Sequence, residues 1–236
     1  CAGDAPGLGM LNMVDYMGLT NLKHVDSTET GGSSYLIHVS LAAQAIAAGK
    51  CNIALITLAG RPRSAGSSGL QPRNWGTDLP DVPFEAPFGS VTVNSYAMVP
   101  ARHMYEYGTT PEQLAWVKVA ASHHAQHNPH AMLRDVVTVE DVVNSPMVST
   151  PLKRLDCCVV SDGGGALIVA RPEIARSLKR PLVSIRGAGE AVKGQLGGKV
   201  DLTWSGARFS GARAFEEAGV TPQDIQYASI YDSFTI

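Results

Sequence analysis

The sequence predicts an α/β protein. Three observations carry this reading. A helix-period apolar stretch over 33–48 ends at Gly49, the continuous apolar run Ile53-Ala54-Leu55-Ile56-Thr57-Leu58 follows at once, and further apolar runs at 159–170 and 182–189 are set between breaker-rich or helical segments. At 236 residues the chain can bury a core. Apolar residues make up 44% and charged residues 17%, which is the composition of a globular protein rather than a disordered one.

Taken in order, Val25–Ser27 reads as a short β-like run entering the polar turn Thr28-Glu29-Thr30-Gly31-Gly32. The helix from Ser33 to Ala48 follows, with Leu36, Ile37, Val39, Leu41, Ala42, Ala45 and Ile46 apolar and Gly49 at a C-cap position. It carries almost no charge on any side, so it is expected to be buried all round. The run 52–59 is the kind of strand found inside a parallel sheet, and strand, helix, strand makes a βαβ unit. Residues 60–87, rich in Gly, Pro and Ser, are expected to be irregular, with helices returning at 91–107 and 111–127. After a break at 144–151, an apolar strand runs from Val159 to Ala170. It is interrupted by Gly163-Gly164-Gly165, whose expected role is close backbone packing within the sheet. Leu182–Gly189 reads as a strand, Gly206–Ala218 as a helix and Tyr227–Tyr231 as a final strand. No strands precede the first βαβ unit and the chain stops just after a strand, so an incomplete copy of its fold is expected.

Several function classes are disfavoured. The net charge of −2 gives no electrostatic argument for nucleic acid or a membrane surface. No apolar run approaches the roughly 20 residues that span a bilayer, and Cys1-Ala2-Gly3-Asp4 opens a Gly/Pro-rich turn rather than a signal peptide. The four cysteines, Cys1, Cys51, Cys157 and Cys158, form neither a disulfide framework nor a CxxC zinc knuckle and read as structural. A reduced, cytoplasmic protein without a metal is expected. His123, His124, His127 and His130 are spaced so that some could share a helix face, but Pro129 breaks the helix and no acidic or thiol ligand completes a set. A surface cluster is the expectation. Arg61, Arg63 and Arg73 could meet a phosphate or be solvated loop charge. Gly187 to Gly194 fails the GxGxxG spacing of a dinucleotide site.

Several segments carry a resemblance when taken in order. They are Ser33–Gly49 with the strand at Asn52; Tyr107-Gly108-Thr109-Thr110-Pro111-Glu112-Gln113-Leu114-Ala115; His124-Ala125, Asn128-Pro129 and Ala131; Pro151-Leu152, Leu155-Asp156-Cys157-Cys158 and Ser161-Asp162-Gly163; and Tyr231-Asp232-Ser233-Phe234-Thr235. Together they resemble the thiolase superfamily, in the branch around sterol carrier protein x thiolase and related thiolase-like proteins. The resemblance implies a five-layer αβαβα thiolase fold that lacks its first strands and most of its C-terminal half. Residues 1–87 would be part of the N-terminal core, 88–156 an inserted loop region, 157–205 a return to that core and 206–236 the start of the C-terminal core. It also implies a homodimer and an acyl-CoA substrate, with coenzyme A entering as part of that substrate and no other cofactor.

Thiolases place a cysteine at the N-terminus of the buried helix, where the helix dipole and free N–H groups favour the thiolate and developing negative charge. Counting back from Gly49 by the family's helix length lands on Gly32, flanked by Gly31, Ser33 and Ser34. Gly32, Ser33 and Ser34 are therefore the candidate substrate-binding residues. A serine here caps the helix, binds the thioester or acts as a nucleophile, and the last role needs an adjacent base. The second departure is Tyr231, at the position where the resemblance puts a histidine or asparagine. Tyr231 either donates a hydrogen bond or shuttles a proton in catalysis, or fills core space.

Losing the cysteine while gaining a tyrosine fits a retro-aldol cleavage, which needs no acyl-enzyme. The pattern resembles the thiolase-like aldolases of steroid side-chain degradation. Those split a 17-hydroxy steroid carboxyl-CoA into a 17-ketosteroid and propionyl-CoA, in complex with a hydratase partner that contributes a zinc-ribbon/OB-fold domain. Two other readings stay open: a degradative or condensing acetyl-CoA acetyltransferase-like thiolase, and a non-catalytic acyl-CoA-binding subunit of a complex.

Overall fold

The computed structural model describes residues 10–28, 30–66, 84, 86–88, 91–193 and 200–236. The chain divides into two compact units, one made of Cys1–Arg61, Asp162–Lys193 and Gly206–Gln226, the other of Pro62–Ser161, Gly194–Ser205 and Tyr227–Ile236. Among the described residues no helix is long and apolar enough to cross a membrane.

The first unit is built on helix α2 (Ser34–Ala47), preceded by the short helix α1 (Met10–Tyr16), and on strand β1 (Ile53–Gly60). Helix α2 stops where Gly49 takes φ 73°, a left-handed conformation that costs glycine nothing. There Gly49 N–H reaches Ile46 O at 3.0 Å and Lys50 N–H reaches Ala45 O at 3.0 Å, the paired bonds of a Schellman motif. The buried residues of α2 are Ser34, His38, Ala42, Ala45 and Ile46, which recur at helical spacing and make one stripe. Leu36 is 66% exposed, so the expectation of burial all round is corrected. A helix apolar on every side records no preference for one face, and the neighbours that exist choose it.

Strand β1 pairs antiparallel with β4 (Gly163–Ala170), from Ile53 opposite Ala170 to Gly60 opposite Gly163. The expected parallel βαβ unit is therefore not formed: residues 24–28 carry no strand, and the partner of β1 runs the other way. A continuous apolar run does not fix strand direction, and here it does not bring burial either, since Ile53 and Leu55 are exposed and only Ile56 of the run is buried. The three glycines do not interrupt the strand but begin it, and the strand covers 163–170 rather than starting at Val159. Their close-packing role holds at Gly164, where a Cβ would sit 2.8 Å from the Cβ of Ala59, but not at Gly163 or Gly165, where a Cβ would meet nothing within 4 Å.

After the short helix α6 (Pro172–Ser177), the run 182–189 is not a strand. It lies along helix α7 (Ala207–Ala218), where a Cβ on Gly187 would come 2.5 Å from Ala214 O and one on Gly189 would collide with Ser210 O. Its polar groups bond to the helix instead of to a ladder. Ala188 N–H donates to the Glu217 carboxylate at 2.9 Å, Arg186 donates to Ala218 O at 3.1 Å, and Arg213 donates to Glu190 O. Such close approach is available only because Gly187 and Gly189 lack side chains.

The second unit holds helices α3 (Thr92–Tyr107) and α4 (Pro111–Ala125), the short α5 (Val139–Val143) and a small antiparallel hairpin of β2 (Met147–Ser149) and β3 (Leu152–Lys153). Helix α3 ends at Gly108 with φ 68°, and α4 starts in a capping box. Thr110 Oγ1 accepts Gln113 N–H at 3.4 Å, while Gln113 Oε1 accepts Thr110 N–H at 2.9 Å. Pro111 occupies the first helical position, where its missing N–H costs nothing. Leu114, Ala115, Val119 and Ser122 are buried on α4, and Val142 is buried on α5. A separate core cluster joins Val93 and Ala97 of α3 to Leu152 of β3 and to Phe234. Residues 227–231 are not a strand; a bridge comes later in the tail, where Phe234 pairs antiparallel with Cys157.

Candidate active site

In the first unit the candidate residues cluster at the entry to α2. Gly31 takes φ 67°, turning the chain into the helix, and Gly32 is exposed immediately after it. Ser33 stands at the N-cap with φ −86° and ψ −6°, helical rather than extended, and its side chain makes no cap bond. Its Oγ donates back to Thr30 O at 3.0 Å. Ser34 is 4% exposed; its Oγ donates to Gly31 O at 2.8 Å and accepts Thr30 N–H at 2.9 Å. The reading of these serines as side-chain N-caps is thus corrected, since both hydroxyls fasten the turn that precedes the helix. Among the described residues neither is paired with a base. His38, one turn further along α2, directs Nε2 to Thr28 instead.

Tyr231 belongs to the second unit and is 72% exposed. It does not fill that unit's core; Phe234, three residues on and 7% exposed, does so, with its ring centroid 4.4 Å from that of Tyr96. The segment that carries Tyr231 is fixed on Asp156. The buried Thr235 hydroxyl donates to Asp156 Oδ1 at 2.8 Å, Lys153 N–H donates to Oδ2 at 2.8 Å, and Thr235 N–H reaches Asp156 O at 3.1 Å. Cys158 N–H adds a bond to Ser233 O at 2.9 Å. A buried carboxylate bonded on both oxygens holds geometry more firmly than a neutral pair. The Asp156–Thr235 link was missed from the sequence, although both residues stand in motifs that carry the resemblance. The signal was their co-occurrence.

The remaining candidates are peripheral. The Cys157 thiol donates to Lys153 O at 3.3 Å, and burial, aided by Asp156 and Cys158, raises its pKa to about 11. It stays a protonated thiol at neutral pH, in keeping with a structural role. Cys51 is half-buried after α2 and Cys158 is exposed, while Cys1 lies outside the described residues. His123, His124, His127 and His130 are all exposed, and among the described residues no group of three His, Cys, Asp or Glu could hold a metal ion. Arg61 and Arg63 are exposed, Arg63 reaching Met132 Sδ at 3.6 Å; Arg73 and Gly194 lie outside the described residues.

Comparison with known proteins agrees with this architecture. The thiolase C-terminal domain-like family matches residues 189–236. The 17-hydroxy-3-oxo-4-pregnene-20-carboxyl-CoA lyase of Mycobacterium tuberculosis is 30% identical over 92% of this chain and 60% of its own length. An acetyl-CoA acetyltransferase of Methanothermobacter thermautotrophicus is 41% identical, over 66% of this chain and 41% of its own. Among solved structures, the Ltp2-ChsH2(DUF35) aldolase superposes with a TM-score of 0.82 at 30% identity, covering 99% of this chain and 62% of that one. The chain thus spans between 41% and 62% of the length of these relatives. It has the thiolase fold, in part, and belongs to the thiolase-like branch of the thiolase superfamily.

Proposed function

We propose that this chain is part of a lyase that cleaves a β-hydroxyacyl-CoA by a retro-aldol reaction, without forming an acyl-enzyme. The observation that carries the proposal is the start of α2. Gly32 offers no side chain there, and the hydroxyls of Ser33 and Ser34 are engaged with Thr30 O and Gly31 O. A site so built binds a thioester without attacking it. In the reaction a base takes the β-hydroxyl proton, and the oxygen's electrons form a carbonyl as the Cα–Cβ bond breaks. The released pair passes to the thioester oxygen as an enolate, and an acid returns a proton to the α-carbon. The products are a ketone and a shorter acyl-CoA. The positive end of α2 suits the enolate oxygen, and Tyr231 suits the role of hydrogen-bond donor or proton carrier.

The substrate class we infer is a 17-hydroxy steroid carboxyl-CoA, giving a 17-ketosteroid and propionyl-CoA. The steroid acyl-CoA lyase relative, matched across 92% of this chain, supports it. The aldolase neighbour is a two-component structure, which supports a hydratase-type zinc-ribbon/OB-fold partner domain; a homodimer of this chain is part of the same proposal. Coenzyme A enters as part of the substrate and no further cofactor takes part. Acyl transfer is the second reading, favoured by the 41% identity to an acetyltransferase.

The test is a product assay on the full-length protein, with and without the hydratase's partner domain. A 17-hydroxy steroid acyl-CoA and acetoacetyl-CoA are offered in parallel. The lyase releases a 17-ketosteroid in the absence of free CoA. Thiolysis of acetoacetyl-CoA without ketone release would establish acyl transfer, and inertness toward both would leave a binding subunit.

A further inference from the structure

We propose that His38 is a positioning residue whose neutral imidazole, gripping Thr28 through Nε2, holds the turn that presents Gly32 and the start of α2 to substrate. His38 is 4% exposed, and its Nε2 lies 3.1 Å from Thr28 N and 2.8 Å from Thr28 Oγ1. A backbone N–H can only donate, so Nε2 carries a lone pair toward Thr28 and the ring proton sits on Nδ1. Burial lowers the pKa of His38 from its ordinary value, which keeps this neutral form in place.

The grip is one of two on the same face of α2. Ser34, four residues earlier and equally buried, clasps Thr30 N–H and Gly31 O, while His38 clasps Thr28. The turn is therefore tied to the helix at both its ends, with Gly32 following the second tie. Filling space does not account for His38. Its Nδ1 is buried with no hydrogen-bond partner among the described residues, whereas a leucine would fill the same volume and strand no polar atom. The imidazole is explained by what Nε2 holds.

This inference rests on the proposed function for its catalytic consequence but not for its geometry. Three proteins are compared at full length: wild type, His38→Leu, and His38→Gln, whose side-chain amide can offer Thr28 an acceptor at the reach of Nε2. His38→Leu is expected to lower kcat about 10²-fold through a misplaced turn, with KM little changed, and His38→Gln to restore most of it. Nitrogen-15 NMR of the wild type should show a ring protonated on Nδ1, and the Thr28 amide shift should move in His38→Leu but hold in His38→Gln. A ring protonated on Nε2, a wild-type kcat in His38→Leu, or equal losses in both variants would overturn the proposal. If the wild type cleaves no hydroxyacyl-CoA, the function reading fails alone, and the ring tautomer with the Thr28 shift still decides whether His38 holds the turn.

Discussion

Replacing Tyr231 by phenylalanine should lower kcat for hydroxyacyl-CoA cleavage by about 10²- to 10⁴-fold, the usual worth of a positioned acid or base. The substitution removes one oxygen and keeps the ring. At 72% exposure the ring contributes little to packing, so thermal unfolding should be unchanged. What fixes the segment is Phe234 in the core and Thr235 on Asp156, and neither is touched. Steady-state kinetics with a steroid acyl-CoA, together with a melting curve, separate the two roles. Cleavage by Tyr231→Phe at the wild-type rate would remove this hydroxyl from the mechanism.

The second large effect is expected in the core that supports this segment. Leu152 is fully buried at 0% exposure and packs with Val93, Ala97 and Phe234. Leu152→Ala deletes buried methyl groups and leaves a cavity, which costs about 2–5 kcal/mol. Denaturant unfolding should show that loss as a lower midpoint with an unchanged slope. Leu152→Met, similar in volume, should cost under about 1.5 kcal/mol. Because Phe234 shares the cluster, Leu152→Ala should also reduce kcat, in proportion to the freedom gained by the segment that bears Tyr231. A leucine-to-alanine variant as stable as wild type would mean that this cluster does not hold the tail.

Much of the fold was legible because local chemistry dictates it. Gly49 ends α2 by its left-handed conformation, and Thr110-Pro111-Glu112-Gln113 starts α4 by a capping box, both signalled by residue type alone. The glycine run at 163–165 announced close backbone approach, and Gly164 against Ala59 is where it occurs. Other features depend on what packs against what. The apolar residues of α2 encircle the helix, so nothing in their order distinguished the buried side of His38 and Ala42 from the exposed side of Leu36. The run 53–58 gave a strand but neither its direction nor its burial: its partner proved antiparallel, and of the run only Ile56 is buried. Residues 182–189 have strand composition, yet Gly187 and Gly189 let them settle along α7 instead.

The candidate site divides in the same way. The resemblance alone singled out Gly32 and Tyr231, and the structure leaves both exposed. The use of the serine hydroxyls was not legible, because Ser33 and Ser34 look like capping residues until φ and ψ are known. Ser33 is helical there, which turns its hydroxyl back toward Thr30. His38 gave no signal at all, since a histidine within an apolar helix is ordinarily core. Its partner Thr28 lies ten residues earlier, across a turn.

Carbon–carbon cleavage by the proposed route proceeds with no covalent intermediate. Intact mass spectrometry of the full-length protein, acid-quenched at intervals during turnover of a 17-hydroxy steroid acyl-CoA, tests it directly. The unmodified protein mass is expected at every time point while ketone accumulates. A transient mass increase equal to the acyl group, on Ser33, Ser34 or any cysteine, would contradict it.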